Sequence, residues 1–264
     1  MKRLISAIIL LPIVILIVLK GGTLLFACLL ALFSAAGIVE FYRMALPERK
    51  VEQWLAAIAG TSLIFLPFAG NDKLSIAAIG LLFVGFSLLF LFRIRSIETA
   101  AQESAFALLA FLYVPFLLMH LVLLRLTPFG IEWLFVIMLI VMTNDSAAYY
   151  TGSAFGKHRL YPLVSPKKSV EGAIGGLFGS LGGTLLAKFT FFPQLSFTDA
   201  VATAVVVGVV GQAGDLFESL LKRSFGVKDS GTIIPGHGGV LDRLDSILFA
   251  APVTYYYVLF FFRG

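Results

Sequence analysis

The chain has 264 residues, 59% hydrophobic and only 13% charged, with a formal net charge of +5. Soluble domains run nearer about 45–50% and 25%, so the composition excludes an ordinary soluble enzyme with a polar coat; a lone cysteine, Cys28, excludes a disulfide framework or a thiolate zinc site. The positive sum could suggest nucleic acid, but in so apolar a chain the placement of charge matters more than its total, and no nucleic-acid partner is expected.

Apolar runs of membrane-spanning length follow one another at about 4–19, 22–42, 53–70, 74–92, 103–124, 131–150, 170–187, 198–221 and 246–262. They predict an all-α, polytopic integral membrane protein of about nine transmembrane helices; glycine or polar residues interrupt the third, seventh and eighth. Met1-Lys2-Arg3 ahead of the first run also suits a secretory signal. No small-residue cleavage pattern follows it, and the next run begins at Gly21-Gly22-Thr23, so the first helix is expected to be retained. With nine spans, the N-terminus and the connections near 43–52, 93–101, 151–169 and 222–245 share one side and carry fifteen Lys and Arg. The other side carries five: Lys20, Lys73, Arg125, Lys188 and Arg263. The positive-inside rule then puts the N-terminus and the two longest connections in the cytoplasm.

Residues 1–127 read as membrane scaffold. Polar residues there sit at span ends, Glu40 is expected to snorkel or pair with Arg43, His120 to be a satisfied structural histidine, and Cys28 to be a small core residue. Residues 128–264 read as the catalytic half of the same integral domain. Asp145 follows a mainly apolar stretch, where an unpaired charge costs roughly 2.5–3.5 kcal/mol if deep. The next connection holds Lys157-His158-Arg159 and then Ser165-Pro166-Lys167-Lys168-Ser169. Pro166 disfavours helix at Ser165, and Lys167 and Lys168 stand at the start of a helix whose free N–H groups suit phosphate. Taken alone, the same lysines also suit a simple topology signal. Small-xxx-small glycine pairs such as Gly175 and Gly179 permit close helix approach. Packing within one subunit, packing around a site and a homodimer seam all remain open.

The densest set of ionisable residues lies between Gly211 and Ser246. On a helix, Asp215, Glu218 and Lys222 share one face, and Asp242 and Asp245 share another. Two acid-bearing helix ends joined by a loop can converge on a hard cation; magnesium suits them, calcium or manganese less specifically. His237 sits in Pro235-Gly236-His237-Gly238-Gly239, where glycines let backbone N–H groups approach an anion; it reads as a phosphate donor or proton-transfer group.

Ser219-Leu-Leu-Lys222-Arg223, then Lys228-Asp229-Ser-Gly231, then Pro235 through Asp242-Arg243-Leu-Asp245 resembles the signature of phosphatidate cytidylyltransferases. The resemblance extends to Asn144-Asp145, the serine-proline-lysine-lysine segment at 165–168 and Gly214-Asp215. Where the family often has threonine-tryptophan after the two lysines, this chain has Ser169-Val170. The resemblance implies a magnesium-dependent transfer from CTP to phosphatidic acid, giving CDP-diacylglycerol and pyrophosphate, at the cytoplasmic face of a bacterial inner membrane. It implies catalytic roles for Asp215, Asp242, Lys222, Arg223 and His237, and metal ligation by Asp215 and Asp242, with Asp245, Glu218 and Asp145 secondary and room for a second cation. Substrate contacts fall to Ser165, Lys167, Lys168, Asp145, Lys228, Gly238, Gly239 and Arg243. The expected partners are CTP, phosphatidic acid and membrane lipids. A CTP-dependent polyprenol kinase, an ether-lipid cytidylyltransferase and an ion-coupled transporter are the rivals.

Overall fold

The computed structural model describes residues 2–234, 236 and 238–264, with side chains from Leu11 onward except that of Asp72. Pro235 and His237 lie outside the described residues, and with them the roles expected of His237. The helices are α1 (Lys2–Lys20), α2 (Gly22–Ala45), α3 (Lys50–Leu63), α4 (Asp72–Phe92), α5 (Ile97–Phe111), α6 (Leu117–Arg125), α7 (Gly130–Phe155), α8 (Val170–Thr190), α9 (Phe197–Ser224) and α10 (Leu241–Phe260). An antiparallel hairpin, β1 (Arg159–Tyr161) and β2 (Ser165–Ser169), is the one sheet among the described residues. The fold is therefore helical, as the composition predicts.

Among the described residues six helical stretches are long and apolar enough to cross a membrane: Gly22–Ala45, Lys73–Phe92, Ile97–Arg125, Gly130–Phe155, Val170–Thr190 and Phe197–Ser224. The expected count of nine is not reached among them. The third expected run becomes the 14-residue α3 followed by a short 3-10 turn, Leu66–Ala69, that contains Pro67. The ninth, α10, opens with Asp242, Arg243 and Asp245 in its first five residues. The span Ile97–Arg125 is continuous through a π-helical turn at Leu112–Phe116, where Pro115 withholds a backbone N–H.

Two compact units form. The first comprises Met1–Val122 with Asp229–Asp242, the second Leu123–Lys228 with Arg243–Gly264. In the first, Asn71 and Ser96 cap α4 and α5 by accepting backbone N–H groups with their side chains. The buried Arg49 guanidinium ties three elements together: it donates to Glu52 at 3.2 Å, to the Arg93 carbonyl at 2.6 Å, and to Glu103. Arg93 in turn donates to Glu52 at 2.9 Å. Breaking such a buried ion pair from one side costs about 3–5 kcal/mol, because a charge is left behind.

Three expectations for the first half meet the structure here. His120 is buried with Nδ1 2.8 Å from the Phe116 carbonyl, a satisfied structural histidine. Cys28 is exposed rather than in the core, because it falls on the outward side of α2. Glu40 neither snorkels nor pairs with Arg43: it is fully buried and accepts from the backbone of Val240 and Leu241. The N–H groups of Val240 and Leu241, at a helix start where no intrahelical carbonyl is available to them, take the carboxylate instead.

In the second unit α7 and α8 pack through the glycine face of α8. A Cβ on Gly175 would strike Thr151, and one on Gly179 would strike the Thr143 carbonyl and Ala147. This is close packing within one chain. Ser196 and Asp199 form a reciprocal capping box at the start of α9, and Asp199 also accepts from the Tyr257 hydroxyl at 2.6 Å.

Candidate active site

The second unit contains a cavity of about 580 Å³ between α7, the hairpin, α8 and α9, a size that suits a nucleotide or a lipid headgroup. Its wall includes Asn144, Asp145, Arg159, Lys167, Lys168 and Asp215. The hairpin brings the cations to it. Glu171, in the first turn of α8, accepts the backbone N–H of Lys157 (3.1 Å) and of His158 (3.2 Å), and lies 2.7 Å from His158 Nδ1. Ser169 caps α8 by accepting the Gly172 N–H at 3.1 Å, which fixes the exit of β2. Strand alternation then separates Lys167, exposed, from Lys168, which turns inward.

Lys168 Nζ lies 2.5 Å from Asp215 Oδ2, and both side chains are 29% exposed. Asp215 sits one turn before Ser219, whose hydroxyl is 3.5 Å from Asp215 Oδ1. Behind this pair is an amide ladder among otherwise apolar helices. Gln212 Nε2 donates to Asn144 Oδ1 at 2.9 Å and to the Ala173 carbonyl at 3.0 Å, and Asn144 Nδ2 donates to Ser180 at 2.8 Å. The ladder ties α7, α8 and α9 together directly under the charged wall. Gln212, Ser180, Arg159 and Glu171 were not among the predicted site residues; for Gln212 and Ser180 the available signal was a polar side chain inside an apolar helix, and for Arg159 its place in the basic run Lys157-His158-Arg159.

The acids of the second unit come together. Asp145, Asp215 and Asp245 interact electrostatically, and Glu218 acts on Asp245. Lys222 Nζ lies 3.3 Å from Glu218, as their shared helix face predicts, and Arg243 acts on Asp145. Other predicted residues stand apart. Arg223 is exposed and donates to the Val227 carbonyl at 3.3 Å, closing the end of α9; Lys228 is exposed, and Ser165 does not line the cavity.

The remaining signature residues belong to the first unit. Asp242 Oδ2 accepts from Ser230 N (2.9 Å), Ser230 Oγ (2.9 Å) and Gly239 N (2.8 Å). Ile234 N donates to the Gly238 carbonyl at 3.0 Å, and Gly238 has φ +84°, where a side chain would be strained and would also meet Asp242. So Ser230 and Gly239 close on the Asp242 carboxylate from either side of the turn in sequence.

Among the described residues no three of His, Cys, Asp or Glu form a ready-made metal site. The donor chemistry nevertheless fits a hard divalent cation: Asp215, Glu218 and Asp245 offer only oxygen, and the Asp215 charge acts against that of Asp245. Cations from the hairpin beside carboxylates from α9 suit a phosphate compound carrying its own metal ion.

These features define a multi-pass helical membrane protein with a charged, phosphate-compatible cavity. The chain belongs to the cytidylyltransferase family, whose model matches residues 1–261. It is 37% identical to a phosphatidate cytidylyltransferase of Staphylococcus haemolyticus (strain JCSC1435) over 95% of this chain and 96% of that protein. It is 36% identical over the same shares to one from Staphylococcus aureus (strain COL), and 34% to one from Staphylococcus epidermidis (strain ATCC 12228 / FDA PCI 1200).

Proposed function

We infer that the chain is a nucleotidyltransferase that makes CDP-diacylglycerol and pyrophosphate from CTP and phosphatidic acid. The observation that carries this reading is the Lys168–Asp215 contact on the wall of the cavity, which sets a phosphate-binding cation beside a metal-binding type of carboxylate. A phosphate oxygen of the lipid attacks the α-phosphorus of CTP; a P–O bond forms there, the bond to the bridging oxygen breaks, and pyrophosphate leaves with the electron pair. The lipid phosphate is already ionised near neutral pH, so the protein needs no strong base. Its task is to orient two anions and neutralise charge. Lys167, Lys168 and Arg159 supply donors to phosphate oxygens, and the N-terminal turn of α8 adds its dipole.

Magnesium is the cation proposed for the carboxylates Asp215, Glu218 and Asp245, with Asp242 keeping the ligand role its signature implies. When bound it would neutralise charge on the triphosphate. Purified protein given CTP, phosphatidic acid and magnesium is expected to form CDP-lipid and to stop in excess chelator. Undiminished activity in chelator removes the metal, and phosphorylation of diacylglycerol without CDP-lipid moves the reading to a lipid kinase.

The proposed location is a bacterial inner membrane with the cavity facing the cytoplasm, supported by the basic residues Lys157, Arg159, Lys167 and Lys168 on the connection between α7 and α8. A cysteine placed at the exposed Thr232, in a chain whose Cys28 has been replaced, should resist membrane-impermeant maleimide in intact cells and react after lysis. Labelling in intact cells reverses the orientation.

A further inference from the structure

Glu40 lies in α2, 190 residues ahead of Ser230, and its side chain is completely buried. Its Oε1 accepts the Val240 N–H at 2.9 Å and its Oε2 the Leu241 N–H at 3.0 Å, at the last loop residue and the first residue of α10. Oε2 also lies 3.3 Å from the Ser230 hydroxyl, which is 2.9 Å from Asp242 Oδ2. Ser230 is buried and has one hydroxyl proton for two carboxylates. The loop is shaped around this arrangement: a Cβ on Gly231 would strike the Glu40 carboxylate, and one on Gly239 would strike both Glu40 and Ser230. Packing alone would be served more cheaply by a neutral side chain, since a charge buried in an apolar span is unfavourable. What the carboxylate adds is a pair of acceptors for the first N–H groups of α10 and a second claim on the Ser230 proton.

We propose that Glu40 is a positioning residue for Asp242. It anchors the first turn of α10, on which Asp242 sits, and with Ser230 it sets the direction in which the Asp242 carboxylate is held. This rests on the reading of Asp242 as a group that acts on the bound metal–nucleotide.

The test compares wild type with Glu40→Gln, Glu40→Asp and Ser230→Ala, each purified in detergent. Glutamine keeps the shape but turns an N–H₂ toward a backbone N–H. The Glu40→Gln variant should lose about 10–100-fold in kcat, the scale for residues that orient a metal-binding group, with KM for CTP little changed and more magnesium needed for half-maximal rate. Glu40→Asp should recover part of kcat. If Glu40→Gln does not fold, Ser230→Ala, which leaves both backbone bonds to Glu40 in place, should show the same kcat fall and magnesium shift. Wild-type kcat and magnesium dependence in either folded variant overturns the proposal, as does a loss of rate that only follows the folded fraction. A wild-type protein that forms no CDP-lipid removes the functional reading instead. In that case amide exchange decides: protection at Val240 and Leu241 must fall in Glu40→Gln with the rest of the chain unchanged, and unchanged protection there overturns the positioning role.

Discussion

Replacing Asp215 by asparagine is expected to lower turnover by on the order of a hundredfold or more, the scale for loss of a charge-stabilising catalytic group. Asp215 is the meeting point of the second unit's charges: Lys168 touches it, Ser219 lies one turn on, and Asp145 and Asp245 feel its charge. Asparagine keeps the shape and removes the charge, so both the lysine and the proposed cation lose their partner. The fold should tolerate this. The Lys168–Asp215 pair is 29% exposed on each side, and part-exposed pairs contribute only about 0–1 kcal/mol to stability. Steady-state assay beside thermal unfolding in detergent separates the two effects. An Asp215→Asn variant retaining most of the wild-type kcat would show that Asp215 is only the structural partner of Lys168.

The second large effect is expected on substrate use rather than on turnover. Glutamine at both Lys167 and Lys168 should lower kcat/KM by about tenfold or more, the scale of losing charge-assisted hydrogen bonds to phosphate. Yield and orientation in the membrane should stay unchanged. The strand places the two lysines differently: Lys168 lines the cavity in contact with Asp215, while Lys167 lines it from the exposed side. Replacing Lys168 alone should therefore account for most of the loss. If the double variant keeps wild-type kinetics at every CTP and lipid concentration, the lysines serve topology only.

Much of the site was legible before the structure. Asp215, Glu218 and Lys222 were expected on one helical face, and Glu218 and Lys222 are in contact at 3.3 Å. Pro166 was expected to disfavour helix at Ser165, and Ser165 opens the strand Ser165–Ser169. Both follow from local rules that depend on residues a few positions apart. Reading the first half as scaffold hid Glu40, because its partners on the loop and α10 are some two hundred residues away. Cys28 was misplaced for a related reason: in an α-helix apolar on all sides, hydropathy does not say which side faces the protein.

What the sequence determined by itself is the helical membrane class, the helix-face grouping of the acids on α9, and the family, through a signature of local spacing. Hydropathy and periodicity carry that information along the chain. Only the tertiary structure decided that Lys168 meets Asp215 across 47 residues, that Gln212 and Asn144 brace the helices beneath them, and that Glu40 holds the start of α10. Those pairings depend on which glycine faces let α7, α8 and α9 approach and on which helix start offers unpartnered N–H groups. Long-range packing settles both, and no local spacing encodes them.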